Sequence, residues 1–321
     1  MFPLARPKIT LLASFCAVTV LATATGRVAS GAIISGFDPA RHERFLMDGT
    51  ANPGFLVDES LISGIAVERA VLITPMHYIT AVHAGSTMPT FLGSDGNLHT
   101  YMSAGAVALT TTLPGGVVVD SDIALHTLTA PIPMADGVSP MAIIGGDPND
   151  LIGHEFYVFS GDQRAGRNVV DVVEVIEFDT GLRDSVAIGY SYDTPTNGGS
   201  GGLGIDEAGL LGGDSGNPAT ILIDGQMVLI GAHFGTDVPM GSSANAGDRY
   251  DSYSTVLSPY VDEIQTLVAV DGFSAQVISI TAVPEPSVAA ACWMTLAMVV
   301  LRRRRRVLTE SSCVVPVSRW R

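Results

Sequence analysis

The sequence predicts an all-β body carrying one helix near its C-terminal end. Apolar runs of about 5–10 residues, rich in Val, Ile, Thr and Tyr, recur along the chain as strands do. Turn residues separate them: the 321 residues include 35 glycines and 18 prolines, which favours β structure over a helical bundle. Only one segment repeats its apolar residues at helical spacing. Length, together with a hydrophobic content of 47%, suffices for one large or two smaller packed units.

The chain opens on a segment that stands apart from this pattern. Arg6 and Lys8 precede "ITLLASFCAVTVL", Ile9 to Leu21, and small residues follow. That is the pattern of an export signal, and the apolar run is short for a membrane span. Cleavage after Ala24 or after Ala32 would each meet the small-residue requirement, and the signal is assigned to residues 1–32. The body, residues 33–282, then reads as strands: "GIAVERAVLITP", "YITAVHA", "AGAVALTTTL", "GGVVVD", "DIALHTL", "HEFYVFSG", "NVVDVVEVIEFD", "SVAIGYSYD", "PATILIDG" and "QMVLIGAHFG". "TPTNGGSGGLG", Thr194 to Gly204, reads as a surface loop because strands continue on both sides. The helix is "SPYVDEIQTLVAV", Ser258 to Val270. Ser258 is placed to cap it, Pro259 suits its first turn, and Val261, Ile264, Leu267 and Val268 share one face.

Charge and cysteines narrow the function classes. From Ile33 to Val283 the chain has seven arginines, no lysine and 30 acids, a formal charge of −23. Such a body repels phosphate, so nucleic acid is excluded as a partner. The acids read as a solvated surface. All three cysteines, Cys16, Cys292 and Cys313, lie in the terminal segments, so the body has neither a disulfide nor a cysteine nucleophile.

The C-terminal end has its own order. Val283-Pro284-Glu285-Pro286 is followed by an apolar run, Val288 to Leu301, and five arginines, Arg302 to Arg306. The arginines would hold the end of the run on the cytoplasmic side. Residues 283–306 resemble the PEP-CTERM sorting signal of bacterial exported proteins. The resemblance implies recognition by an exosortase, cleavage near the Pro-Glu-Pro element, transient membrane association, and delivery to the cell surface, periplasm or extracellular matrix. The fifteen-residue tail, 307–321, is longer than that family usually shows. A plain tail anchor is the alternative, and it too places the body outside the cytoplasm.

Three short segments carry the chemistry. His83 ends "YITAVH", Asp122 opens "DIALHTL", and Ser215 sits in "GGDSGNP". Taken singly, a histidine at a strand end, an aspartate before a strand and a glycine-flanked serine each have structural explanations. In this order and with these flanks they resemble the histidine, aspartate and serine motifs of trypsin/chymotrypsin-like serine endopeptidases. The spacings are 39 and 93 residues, against about 45 and about 93 in the serine-protease triad template. Two departures stand out: Asn217 occupies the place of a second glycine, and Ala84 follows the histidine where the family has cysteine.

The resemblance implies two six-stranded antiparallel barrels with a C-terminal helix, the first barrel supplying His83 and Asp122, the second Ser215. A serine hydroxyl needs a neighbouring base at neutral pH. His83 would take its proton and pass it to the leaving amine, and Asp122 would fix the imidazole tautomer. Asp120 is the rival acid two residues away. The backbone N–H groups of Gly213 and Ser215 would bind the oxyanion. Protein or peptide substrates are implied, with no metal and no cofactor. Two rival functions remain. One is a non-catalytic surface or matrix binding protein on a protease fold. The other, an α/β-hydrolase esterase, needs a Gly-x-Ser-x-Gly elbow, whereas Ser215 lies in Gly-Asp-Ser-Gly-Asn without the final glycine.

Specificity and activation follow from the same resemblance. Gly209, six residues before Ser215, and Leu210 would form the base of the primary pocket. No carboxylate stands there, so a basic side chain would find no partner. His233, Phe234 and Gly235 would form the opposite wall. His233 resembles the acid-reading histidine of staphylococcal-type glutamyl endopeptidases, or else hydrogen-bonds Asp122. Apolar or small residues are expected first, acidic ones second and basic ones last. Ile33, exposed by cleavage after Ala32, would pair its new amine with Asp214.

Overall fold

The computed structural model describes residues 31–280, apart from 86–87, 114–115, 177–182, 195–201 and 238–248. The segments expected to serve export and sorting, save Gly31 and Ala32, therefore lie outside the described residues, as does most of the Thr194–Gly204 stretch.

The fold is all-β with a C-terminal helix, as expected. Strand β1 (Ile33–Ile34) and a short helix, α1 (Pro39–His42), lead into the first unit. Its six strands are β2 (Val71–Thr74), β3 (His77–Ala81), β4 (Thr90–Leu92), β5 (Leu98–Thr100), β6 (Ser103–Leu113) and β7 (Val117–Leu128). Four form the antiparallel sheet β2-β3-β7-β6, and β4 pairs with β5 in a hairpin tied back by an Ala66–Phe91 bridge.

The second unit begins with β8 (Ala142–Gly145), β9 (Glu155–Phe159), β10 (Ala165–Val169), β11 (Val172–Ile176) and β12 (Ser185–Tyr192). It continues through β13 (Ala208–Gly209), β14 (Pro218–Ile223), β15 (Gln226–Thr236) and β16 (Tyr250–Val256), then α2 (Val261–Val270) and β17 (Val277–Ser279). Its main sheet runs β10-β9-β14-β15-β16-β12-β11, all antiparallel. β8 adds to β15 in parallel and β17 to β8, so the last strand returns to the first of this unit. β1 pairs with β13.

One continuous core joins the units. Ile73, Ile79, Leu109, Ile123 and Leu125 of the first pack in the same buried cluster as Phe156, Val158, Ile188, Leu229 and Ile230 of the second. A smaller cluster around Leu72, Tyr78 and Phe91 fills the far side of the first unit. Helix α2 buries Ile264 and Val268, with Val261 and Leu267 packed beside them, as the helical spacing predicted. The cap is different. Ser258 opens a 3-10 turn, Ser258–Tyr260, and its buried hydroxyl has no hydrogen-bond partner among the described residues. The tighter turn carries the chain into α2 through Tyr260, which makes no side-chain cap bond.

"GGVVVD" and "DIALHTL" form one strand, β7, rather than two runs. Ser121 and Asp122 lie buried at its middle. That placement sets up the site.

Candidate active site

The register of β3 against β7 brings the first two residues together. Thr80 faces Ala124 and Ala81 faces Ile123, so the next step sets Asp122 opposite Val82. The chain then turns into a 3-10 segment, Val82–Ala84, ended by Gly85 at φ +78°, a conformation that suits glycine. His83 sits at its centre. Asp122 Oδ1 accepts the His83 backbone N–H at 3.1 Å, and Oδ2 makes a short contact to Nδ1. The carboxylate is 1% exposed, whereas the imidazole side chain is 28% exposed. A buried acceptor on Nδ1 fixes that nitrogen as the N–H and leaves Nε2 able to take a proton. Asp122 is braced from the second unit, its backbone N–H donating to Ser185 Oγ at 2.9 Å. Asp120, the rival acid, is exposed and pairs across the sheet with Thr110.

Ser215 lies in the turn between β13 and β14. Gly216, at φ +83°, presses this turn onto the His83 segment: a Cβ there would stand 2.6 Å from Thr80 Oγ1 and 3.1 Å from Ala84 Cβ. Only glycine allows that approach. No hydrogen bond joins Ser215 Oγ to His83 among the described residues. Such contacts often close only on the substrate complex.

The backbone of the turn is held on its carbonyl side. Asp214 O accepts the Asn217 N–H at 3.1 Å and Asn217 Nδ2 at 2.9 Å. The Asp214 N–H donates to Leu211 O at 3.2 Å. Gly213 takes φ +107°. The N–H groups of Gly213 and Ser215 have no acceptor among the described residues, and both residues are partly exposed. Two free N–H donors flanking a serine can bind an oxyanion.

Asp214 is fully buried. In the uncut chain its carboxylate accepts the Gly161 N–H at 3.1 Å and the Leu211 N–H at 2.8 Å. Burial pushes its pKa up to about 7, and neighbouring Asp162 pushes the same way. Ile33 lies in β1 with Gly209 as its partner, and Ala32 before it is part of the core.

The pocket residues divide. Gly209 is buried, and a Cβ there would meet Tyr250 Oη at 2.6 Å and Tyr192 Cβ at 2.8 Å. Two tyrosines therefore occupy the space that a side chain on Gly209 would need. Phe234 is the extra residue of a bulge in β15, and Gly235 resumes the pairing opposite Tyr253. His233 is wholly buried, with Nδ1 2.7 Å from Ser254 Oγ and 3.5 Å from Tyr190 Oη. Its partner is thus Ser254, not Asp122. Burial lowers its pKa to about 3, so the ring is neutral at physiological pH.

Sequence reasoning missed Arg69 and Ser185. Arg69 precedes β2 at φ +46°, and its Nη2 donates to Gly213 O at 3.2 Å while its N–H donates to Asn217 Oδ1 at 3.3 Å. The one signal in the sequence was Asn217 itself, standing where the resemblance expects glycine. Among the described residues no cluster of three or more His, Cys, Asp or Glu could hold a metal ion, and no helix is long and apolar enough to cross a membrane.

No protein-family model matches the sequence, and no curated protein matches it. Among solved structures the chain is similar to the NS6 protease from murine norovirus 1, at 13% identity and a TM-score of 0.36, over 68% of this chain and 97% of that one. It is also similar to an inactive mutant of the murine norovirus NS6 protease with a C-terminal extension, at 12% identity and a TM-score of 0.36, over 62% of this chain and 99% of that one. What defines the class is the chain's own architecture. It has a chymotrypsin-like layout, with two β units meeting at a histidine–aspartate pair and a glycine-flanked serine.

Proposed function

We propose that this protein is a serine endopeptidase that cuts peptide bonds through an acyl-enzyme. Ser215 Oγ attacks the scissile carbonyl carbon, and its proton passes to His83 Nε2. The carbonyl oxygen, now an oxyanion, settles between the N–H groups of Gly213 and Ser215. Asp122 stabilises the imidazolium through Nδ1–H and stays ionised throughout. The C–N bond breaks as His83 returns the proton to the departing amine. Water then repeats the sequence on the ester, with His83 again as base, and frees the acid and Ser215. No metal or cofactor enters any step.

The observation that carries this reading is the packing of the Ser215 turn against the segment that holds the paired His83 and Asp122. The pocket supports small apolar residues before the cut. Its base is filled by Tyr192 and Tyr250, and no carboxylate is among the atoms nearest Gly209. A neutral His233 with no exposed surface gives an acidic side chain no cation. The terminal segments support an exported enzyme sorted to the surface through residues 283–306, with an exosortase as partner. Incubating the purified protein with a mixed peptide library tests the activity. New peptide N-termini should appear with wild type and vanish with Ser215→Ala. A library left intact by folded wild type would favour the binding-module alternative.

A further inference from the structure

Arg69 takes a left-handed backbone conformation, at φ +46°. Such a conformation is unfavourable for a non-glycine residue and needs support from its surroundings. Here the support is the nucleophile turn. The Arg69 N–H donates to Asn217 Oδ1, and Nη2 donates to Gly213 O at 3.2 Å. Its Cβ lies 3.1 Å from where a Gly216 Cβ would stand. In a body with so many acids, this guanidinium pairs with no carboxylate among the described residues. It is spent on a backbone carbonyl next to the nucleophile.

Asn217 completes the contact. Its Oδ1 receives Arg69, and its Nδ2 donates to Asp214 O at 2.9 Å. In a trans peptide the carbonyl and N–H point opposite ways. Holding Asp214 O from one side therefore aims the Ser215 N–H to the other. The peptide after Gly213 is pinned twice, its carbonyl by Arg69 and its N–H by Leu211 O at 3.2 Å. Gly213 is the flexible joint of this turn, and Arg69 removes much of that freedom.

We infer that Arg69, with Asn217 as its bridge, is a positioning residue that reaches from the first β unit to hold the Gly213 and Ser215 N–H groups in the oxyanion-binding arrangement. It touches no reacting atom. The inference rests on the serine-endopeptidase reading. It also gives Asn217 a role: an amide there links the two units, which glycine could not.

The test compares wild type, Arg69→Gly and Arg69→Lys in the full chain. Glycine accepts φ +46° without strain and keeps the N–H to Asn217, so the side chain with its guanidinium contact is lost while the backbone contact stays. Three quantities are read: kcat and KM on a peptide with Ala before the cut, affinity for the matching peptide boronic acid, and melting temperature. The boronate binds as a tetrahedral adduct with an oxygen in the oxyanion site. Arg69→Gly should lower kcat about 10- to 100-fold, less than losing a donor outright. KM should hold, boronate affinity should fall by the same factor as kcat, and the melting temperature should not drop. Arg69→Lys should lie between the two. Unchanged kcat in Arg69→Gly would overturn the inference. So would a kcat loss without a boronate loss, or activity that falls in both variants only in step with melting temperature. If wild type neither cleaves the peptide nor binds the boronate, the protease reading itself fails, which is a separate result.

Discussion

At the scale of single residues, the proposed reaction hangs on orientation more than on reactivity. In that mechanism Asp122 contributes by accepting Nδ1–H from a buried position, which would leave Nε2 as the base. In Asp122→Asn the amide nitrogen can donate to Nδ1 and favour the wrong tautomer, and kcat should fall about 10⁴-fold with the fold retained. Steady-state kinetics beside a thermal melt checks this; a loss under tenfold would remove Asp122 from the mechanism. The pocket makes a second residue-scale prediction. Among substrates differing only before the cut, Ala should give the highest kcat/KM, ahead of Leu and Glu, with Arg last. Arg has no carboxylate to meet over Gly209, and Leu must displace Tyr250 or Tyr192. A preference for Arg would refute the pocket assignment. His83, Asp122 and Ser215 were legible in the sequence because motif flanks mark them. Arg69 and Ser185 were not. They act through a carbonyl and a backbone N–H far along the chain, and nothing in the neighbouring residues marks such contacts.

At the scale of elements, the strands with long Val- and Ile-rich runs were readable, and the two-residue ones were not. β1 and β13 consist of two residues each and exist only because they pair with one another. β7 read as two strands because Asp120-Ser121-Asp122 interrupts its apolar pattern. In the fold this interruption is where an otherwise apolar strand carries the site's acid. Helix α2 was found by its spacing, but the 3-10 turn before it was not, since Ser258 and Pro259 suit either start. The end of α2 is tied to the first unit. His77, at the start of β3, has Nε2 2.9 Å from Asp271 Oδ2, and Nδ1 2.8 Å from Thr74 Oγ1. His77 is buried, so Asp271→Ala would strand a buried polar group at a cost of about 1–3 kcal/mol. Denaturant unfolding should show that loss while kcat stays near wild type. An unchanged midpoint would mean that the contact adds nothing.

At the scale of the whole molecule, two buried carboxyls set the pH response. Burial raises both Asp214 and Glu207 to about 7. Each binds its proton more tightly folded than unfolded. Their contribution to stability is therefore full below about pH 4 and is lost as pH rises to about 7. The melting temperature should decline across that window. Glu207→Gln, which keeps an acceptor for the Leu203 N–H, should flatten the decline. A slope identical to wild type would show that Glu207 does not titrate there. The proposed maturation would act on Asp214 in the opposite direction. An Ile33 amine released by cleavage after Ala32 would hold it ionised, and intact-mass analysis of the exported protein should find Ile33 first. A stable, active form beginning at Thr25 would contradict that route.

The central claim is that Ser215 is a nucleophile activated by His83 and Asp122. The most direct measurement treats the folded full chain with diisopropyl fluorophosphate and maps the adduct by peptide mass spectrometry. The mechanism predicts one adduct, on Ser215, formed rapidly in wild type, far more slowly in His83→Ala and Asp122→Asn, and absent in Ser215→Ala. No adduct on Ser215 in a folded protein, or one forming equally fast without His83, would contradict it.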